Sequence, residues 1–262
     1  MCATPIGNLA DITLRVLDAL RQATVIACED TRHTRVLLHR HGIVAELISY
    51  HEHNERKRSE ELLRRMRLGD TVALVSDAGT PLVCDPGYEL VRACVAAGVE
   101  IEVLPGPSAA LTALLASGLP VERFCFAGFL PRARTQLQRL LLGADQTLIA
   151  FESPKRLAST LALLAEHDPQ RPLAVCRELT KLHEEIRRGS ALQLAEHYGA
   201  QPARGEVVLV IGAAEPHAAQ QGEALDALRT LVASGARARP AAGAVAKLTG
   251  LSANELYRQL TG

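Results

Sequence analysis

The residues equipped for chemistry gather in short polar runs at the ends of apolar stretches. Glu29-Asp-Thr-Arg-His-Thr-Arg35 packs two acids, a histidine and two arginines behind Ala23-Thr-Val-Ile-Ala-Cys28. His51-Glu-His-Asn-Glu-Arg-Lys-Arg58 follows Leu47-Ile-Ser-Tyr50, and Ser76-Asp-Ala-Gly-Thr-Pro-Leu-Val-Cys-Asp-Pro-Gly87 follows Thr71-Val-Ala-Leu-Val75. Carboxylates and imidazoles in such runs suit proton transfer, and arginines suit phosphate. In the third run Gly79 and Gly87 let a ligand approach the main chain. Pro81 and Pro86 each remove an N–H. A loop with few donors and many carbonyls suits a positively charged or polar-edged ligand better than a phosphate.

Several chemistries are excluded. No Gly-x-Gly-x-x-Gly follows a strand, no P-loop motif occurs, and there is no Gly-x-Ser-x-Gly elbow. The nine histidines show no zinc spacing. Cys2, Cys28, Cys84, Cys94, Cys125 and Cys176 contain no Cys-x-x-Cys pair, which reads as free thiols in a reducing cytoplasm and no metal site. The formal net charge of zero supplies no global field for nucleic acid, so any such surface is local. Aromatic residues are 3% of the chain and tryptophan is absent, which disfavours rows of stacked bases. No apolar run reaches membrane-spanning length, and no signal peptide is seen.

The elements that must position these runs alternate. Strand-length apolar stretches at Ala23–Cys28, Leu47–Tyr50, Thr71–Val75 and Val99–Leu104 each meet a polar or glycine-rich loop and then a helical pattern. Glu29–Arg35 reads as a loop, with a helix over Val36–His41. Repeated strand, loop and helix predict a parallel sheet with right-handed crossovers over residues 1–119, its loops on one edge. Ser108 is placed to cap the helix Leu111–Ser117. Only Met1–Ala3 precede the turn Thr4-Pro-Ile-Gly, which leads into a helix over Asp11–Leu20, so the first strand is expected to be a stub, or some N-terminal residues to have been lost. Residues 120–214 repeat the pattern with strands at Phe124–Phe129, Gln146–Phe151, Leu173–Leu179 and Gly205–Gly212, a second α/β domain more inclined to hairpins. Residues 215–222 read as a linker. Residues 223–262 read as a small helix-turn-helix-like unit, in which five basic residues against three acidic give a net charge of plus two.

Seven motifs in this order resemble one family: Thr4-Pro-Ile-Gly-Asn-Leu, Glu29-Asp-Thr-Arg-His-Thr, Ser76-Asp-Ala-Gly-Thr-Pro, Asp85-Pro-Gly, Leu104-Pro-Gly-Pro-Ser-Ala, Phe151-Glu-Ser-Pro-Lys-Arg and Arg177-Glu-Leu-Thr-Lys. The resemblance is to the 16S rRNA cytidine 2′-O-methyltransferases, within the tetrapyrrole-methylase (class III) fold. It extends over the whole chain, including Leu251-Ser-Ala-Asn-Glu-Leu-Tyr257. That family normally has several more apolar residues before the Thr-Pro-Ile-Gly turn.

The resemblance implies two α/β domains, the first with a parallel sheet and the second with a mixed one, and an RNA-binding helical tail. S-adenosylmethionine would lie in the cleft between the domains. Pro5, Asp77, Ala78, Gly79, Pro81, Ser108 and Ala109 would line it, and Glu152 and Gly205 would close it. The substrate would be a decoding-region cytidine of 16S rRNA in the small ribosomal subunit, and the protein a cytoplasmic homodimer. Candidates for the group taking the ribose proton are Asp30, His33, Asp77, His51 and Glu184, with Asp30 and His33 favoured for their company of arginines. Arg32, Arg35, Arg132, Arg134, Lys155, Arg156, Arg187 and Arg188 could form a track for RNA phosphates. Two other readings are a tetrapyrrole methyltransferase of the same fold and a catalytically inactive RNA-binding module. The first normally carries Gly-x-Gly-Pro-Gly-Asp where this chain has Thr4-Pro-Ile-Gly-Asn-Leu.

Overall fold

The computed structural model describes residues 1–214 and 218–261. The chain divides into two compact units, one of Met1–Leu142 with Gln146–Gly212 and one of Gly143–Asp145 with Ala213–Gly262.

In the first unit the order is α1 (Leu14–Gln22), β1 (Val25–Cys28), α2 (Thr31–Arg40), β2 (Glu46–Ser49), α3 (Glu55–Arg67), β3 (Val72–Leu74), α4 (Tyr88–Ala96) and α5 (Ala109–Ser117). The strands form a parallel sheet in the order β2-β1-β3. β1 is apolar at every position because both faces of the sheet are covered. Val25 and Ala27 pack with Leu62, Leu90 and Cys94 on one side. Ile26 and Cys28 pack with Val16, Leu20, Leu37 and Leu38 on the other.

Three expectations fail locally. The run Glu29–Arg35 is not a loop: α2 already starts at Thr31, with the Asp30 carboxylate accepting from the Arg32 N–H as N-cap. Arg32, His33 and Arg35 are therefore helical. The helix expected from Asp11 is preceded by a short 3-10 turn, Leu9–Asp11, and begins at Leu14 behind the Thr13 cap. The strand expected at Val99–Leu104 shrinks to a single bridge at Leu104. Its neighbour is the Met1–Ala3 stub, whose Cys2 bridges Val75 on one side and Leu104 on the other. Three residues offer too few partners for a longer ladder.

The unit continues with β4 (Phe124–Phe129), α6 (Arg134–Leu142), β5 (Thr147–Glu152), α7 (Pro154–His167), β6 (Pro172–Arg177), β7 (Glu185–Ser190), α8 (Ala191–Ala200) and β8 (Val207–Ile211). The second sheet runs β4-β5-β8-β6-β7 and is mixed. β4 and β5 are parallel, and the remaining pairs are antiparallel. Although α5 follows the first sheet in sequence, its Ala110, Ala113 and Leu114 pack on Ile149, Ala174, Cys176, Val208 and Val210 of the second. Ser108 caps α5, and Ser190 with Gln193 forms a capping box on α8.

The second unit contains α9 (Ala218–Ala233), α10 (Ala238–Thr249) and α11 (Ala253–Thr261), closed around Ala224, Leu228, Ala242, Val245 and Leu256. The expected linker over 215–222 is helical from Ala218, and its residues 215–217 lie outside those described. No described helix is long and apolar enough to cross a membrane.

One buried cation ties the second sheet together. Arg171 donates from Nε to the Gly212 carbonyl (2.6 Å) and from Nη2 to the Leu141 carbonyl (3.2 Å), with Asp168 3.5 Å away. Removing one partner of a buried ionic network costs about 3–5 kcal/mol. Arg171→Ala is expected to lose stability on that scale, measured as a lower denaturation midpoint at unchanged slope.

Candidate active site between the two sheets

A cavity of about 370 Å³ opens where the strand-end loops of the two sheets meet. Asp77, Ala78, Gly79, Thr80 and Asp85 supply one wall, with Ser108 and Ala109 from the start of α5. Phe129, Phe151, Glu152, Gly205 and Val207 supply the other. Phe151 meets Phe129 edge-on, with ring centroids 5.4 Å apart, which makes that wall apolar and rigid. None of the residues lining the cavity is basic.

Behind the cavity, hydrogen bonds join the loops to one another. Thr4 N–H donates to the Gly79 carbonyl (2.8 Å), and Gly79 N–H donates to the Thr4 carbonyl (3.0 Å). The Thr4 hydroxyl donates to the Ser76 carbonyl (3.1 Å), and the Thr80 hydroxyl to the Pro107 carbonyl (3.3 Å). Several carbonyls that the loop composition offered to a ligand are thus spent in joining the loops to each other. Gly79 has φ +81°, and a Cβ there would press on Ile6; glycine tolerates the left-handed conformation without strain.

Seven of the nine expected cleft residues reach this cavity: Asp77, Ala78, Gly79, Ser108, Ala109, Glu152 and Gly205. Pro5 lines an adjoining cavity of about 330 Å³ with His33, Lys181 and Glu206. Pro81 is buried and lines neither. Ile6, Asp85, Phe129 and Phe151 line the main cavity without having been singled out as cleft residues. Asp85 stood inside the quoted Asp85-Pro-Gly motif, while the phenylalanines carried no signal beyond strand ends.

The proton-transfer candidates have different fates. Asp30 is held by the Arg32 guanidinium through Nε (3.1 Å) and Nη2 (2.7 Å), which keeps its carboxylate far below the usual range. Such an anion is a weak base. Asp77 accepts from the Asp30 N–H (3.0 Å) and lines the main cavity and both its neighbours. One neighbour is an open basin shared by Glu29, Ser49, His51 and His53. Beside it Asn54 Nδ2 lies 3.1 Å from His51 Nε2, and the Asn54 side chain also accepts from the His51 N–H (2.9 Å), which fixes the ring's place at the basin edge. Glu184 accepts from the Thr180 N–H (2.6 Å) and lines none of these three cavities. Burial and the nearby Asp77 push the Glu29 carboxyl up, and burial with Glu29 and Asp77 pushes Asp85 up to about 6.

Glu152 is 3% exposed, with Thr160 Oγ1 donating to it at 2.6 Å and its own helix-start neighbour Ser153 N–H at 2.7 Å. Arg156 approaches the same carboxylate at 3.4 Å and donates to the Leu130 and Pro131 carbonyls. That guanidinium is committed internally. Arg134 pairs with Glu166, and Arg187 with Glu185. Arg188 donates to the Ala116 and Ser117 carbonyls. Arg35, Arg132 and Lys155 are exposed.

A parallel and a mixed sheet with a glycine-bent cleft between them define a class. Residues 2–195 match the model of the Tetrapyrrole (Corrin/Porphyrin) Methylases, and the chain belongs to that family. Its full-length relatives narrow the assignment to the ribosomal RNA small subunit methyltransferases I. The protein so named from Mesorhizobium japonicum is 48% identical over 99% of this chain and 90% of its own length. That from Micromonospora olivasterospora is 48% identical over 98% of this chain and 84% of its own. Among solved structures, a uroporphyrin-III C-methyltransferase from Thermus thermophilus superposes with TM-score 0.56 at 26% identity, covering 80% of this chain and 91% of that one. The protein is a methyltransferase.

Gly205 has φ +78°, and a Cβ would collide with the Glu178 carboxylate, which accepts from Glu206 N–H (2.9 Å) and Lys181 Nζ (3.1 Å). Gly205→Ala is expected to cost about 1–3 kcal/mol through backbone strain, read as a lower denaturation midpoint.

Proposed function

We propose that this chain transfers a methyl group from S-adenosylmethionine to the ribose 2′-oxygen of a decoding-region cytidine in 16S rRNA of the small ribosomal subunit. The relatives of that name, aligned over nearly the whole chain, carry the reading. The cavity supports it. S-adenosylmethionine supplies an electrophilic methyl group on a sulfonium cation. An anionic and apolar cavity without basic lining suits a cationic, partly aromatic ligand better than a phosphate. In this reading Asp77, Ala78, Gly79, Ser108, Ala109, Glu152 and Gly205 hold the donor, Pro5 and Pro81 set the path of the loops behind it, and Phe129 and Phe151 give its apolar part a rigid wall.

The protein's main task is alignment: the ribose oxygen, the methyl carbon and the sulfur must lie in line. The rigidly joined Thr4 and Ser76–Gly79 turns serve that. Arg32, Arg35, Arg132, Arg134 and Lys155 lie on exposed surface and serve as phosphate contacts in this reading, with Arg156 supporting the loop behind them. Residues 1–119, 120–214 and 223–262 act as donor-binding, cleft-closing and RNA-binding parts. The outer edge of β4 ends the second sheet, and Phe124 on β4 and Leu115 on α5 are exposed, so we assign self-association to this region. The protein works as a homodimer in the cytoplasm.

Gly79→Val puts a branched side chain at φ +81° against Ile6. It is expected to weaken S-adenosylmethionine binding about tenfold or more by calorimetry. Ribose-methylation mapping of 16S rRNA with and without the native protein tests the substrate. A decoding-region cytidine methyl that does not depend on the protein refutes it.

A further inference from the structure

We propose that Asp85 accepts the 2′-hydroxyl proton during methyl transfer, an assignment that rests on the ribose reading of the substrate. Asp85 lines the same cavity as Asp77, Gly79 and Ser108. Its loop is turned inward by two left-handed residues that are not glycine, Leu82 at φ 70° and Cys84 at φ 67°. Such strained positions persist only where the surroundings hold them. Here the far end of the loop is anchored: the Glu55 carboxylate accepts from the Gly87 N–H (2.9 Å) and the Glu89 N–H (3.1 Å), and Tyr50 donates to the same oxygen.

Charge separates Asp85 from its rivals. Asp30 is neutralised by Arg32, Glu184 accepts from the Thr180 N–H away from the cavity, and Asp77 already accepts from the Asp30 N–H. The charges acting on Asp85 are Glu29 and Asp77, both negative, with the Cys84 thiol beside it. From the second sheet, Glu152 and Glu206 line the same cavity. Only the Ser76 hydroxyl favours the ionised form, and that hydroxyl also lies 3.1 Å from the Gly79 carbonyl. Burial and this company push the Asp85 carboxyl up to about 6, nearer to neutrality, where a proton acceptor is more effective than an ordinary carboxylate. The open basin of Glu29, Ser49 and His51 meets the main cavity at Asp77 and provides the approach for the nucleotide.

The step balances. The bond from O2′ to the methyl carbon forms as the carbon–sulfur bond breaks, and the bonding pair stays on sulfur, which becomes a neutral thioether. The hydroxyl proton passes to an Asp85 carboxylate oxygen and then to solvent water.

The test uses the full chain, S-adenosylmethionine and small subunits lacking the methyl group, with single-turnover rates between about pH 5 and 8. In the native protein the rate should rise tenfold per pH unit up to about 6 and then level. Asp85→Asn, assayed at saturating S-adenosylmethionine with occupancy checked by calorimetry, should be at least 100-fold slower and should lack that acid limb. In the free protein, carboxyl-carbon NMR should show Asp85 titrating near 6. In Glu29→Gln, which removes one like charge, both this titration and the acid limb should move to lower pH. An Asp85→Asn rate within threefold of native, or an Asp85 titration near the ordinary value of about 3.9, overturns the assignment while leaving the ribose reading intact. Failure of the native protein itself to methylate a ribose overturns both.

Discussion

The site depends on one reciprocal pair of backbone hydrogen bonds, between Thr4 and Gly79. It joins the first turn of the chain to the loop after β3 and so fixes the position of Gly79 in the cavity wall. Three features converge to permit it. Cys2 is wedged between Val75 and Leu104, which fixes the height of Thr4. The Thr4 hydroxyl reaches the buried Ser76 carbonyl, which would otherwise be left unsatisfied at a cost of about 1–3 kcal/mol. Gly79 takes the left-handed conformation that lets its N–H and C=O both face Thr4.

Around that pair the electrostatics are uneven in a useful way. Cations are abundant nearby, yet they pair with carboxylates outside the main cavity or along its rim: Arg32 with Asp30, Arg156 with Glu152, Lys181 with Glu178 and Glu206. The interior is left to Asp77 and Asp85, with Glu29 close behind. A low-dielectric space with net negative character favours a sulfonium over a neutral thioether. Substrate and product forms of the methyl carrier therefore differ in how strongly the cavity holds them.

Much of this was legible from the residues. Apolar runs of strand length marked β1, β3, β5 and β8, because buried strands need no polar alternation. Glycine- and proline-rich loops marked the strand ends where a ligand could approach the backbone; the nine cleft positions themselves came from the family resemblance, and seven of them line the main cavity. What could not be read was decided by tertiary contacts. The helix start inside Glu29–Arg35 did carry a local signal, the Asp30 N-cap, but a run this polar reads equally as a loop until Leu37 and Leu38 are seen packed in the core. Nothing local shortened Val99–Leu104, whose partner is a three-residue stub. Phe129 and Phe151 are distant in sequence and meet only because β4 and β5 pair in parallel. Asp85 was visible as a motif, but its lack of a cationic partner is a fact of three dimensions.

The placement of α5 has a mechanical consequence. This helix begins at the loop that touches Gly79, yet its buried side lies on β5, β6 and β8. A second tie comes from Asn8 N–H, which donates to Thr180 Oγ1 across the same boundary (3.0 Å). Swinging one sheet away from the other would have to peel α5 off an apolar bed and break that tie together. The two halves therefore behave as one clamped body, and traffic of methyl carrier through the cleft must rely on side chains and loop tips instead of a hinge.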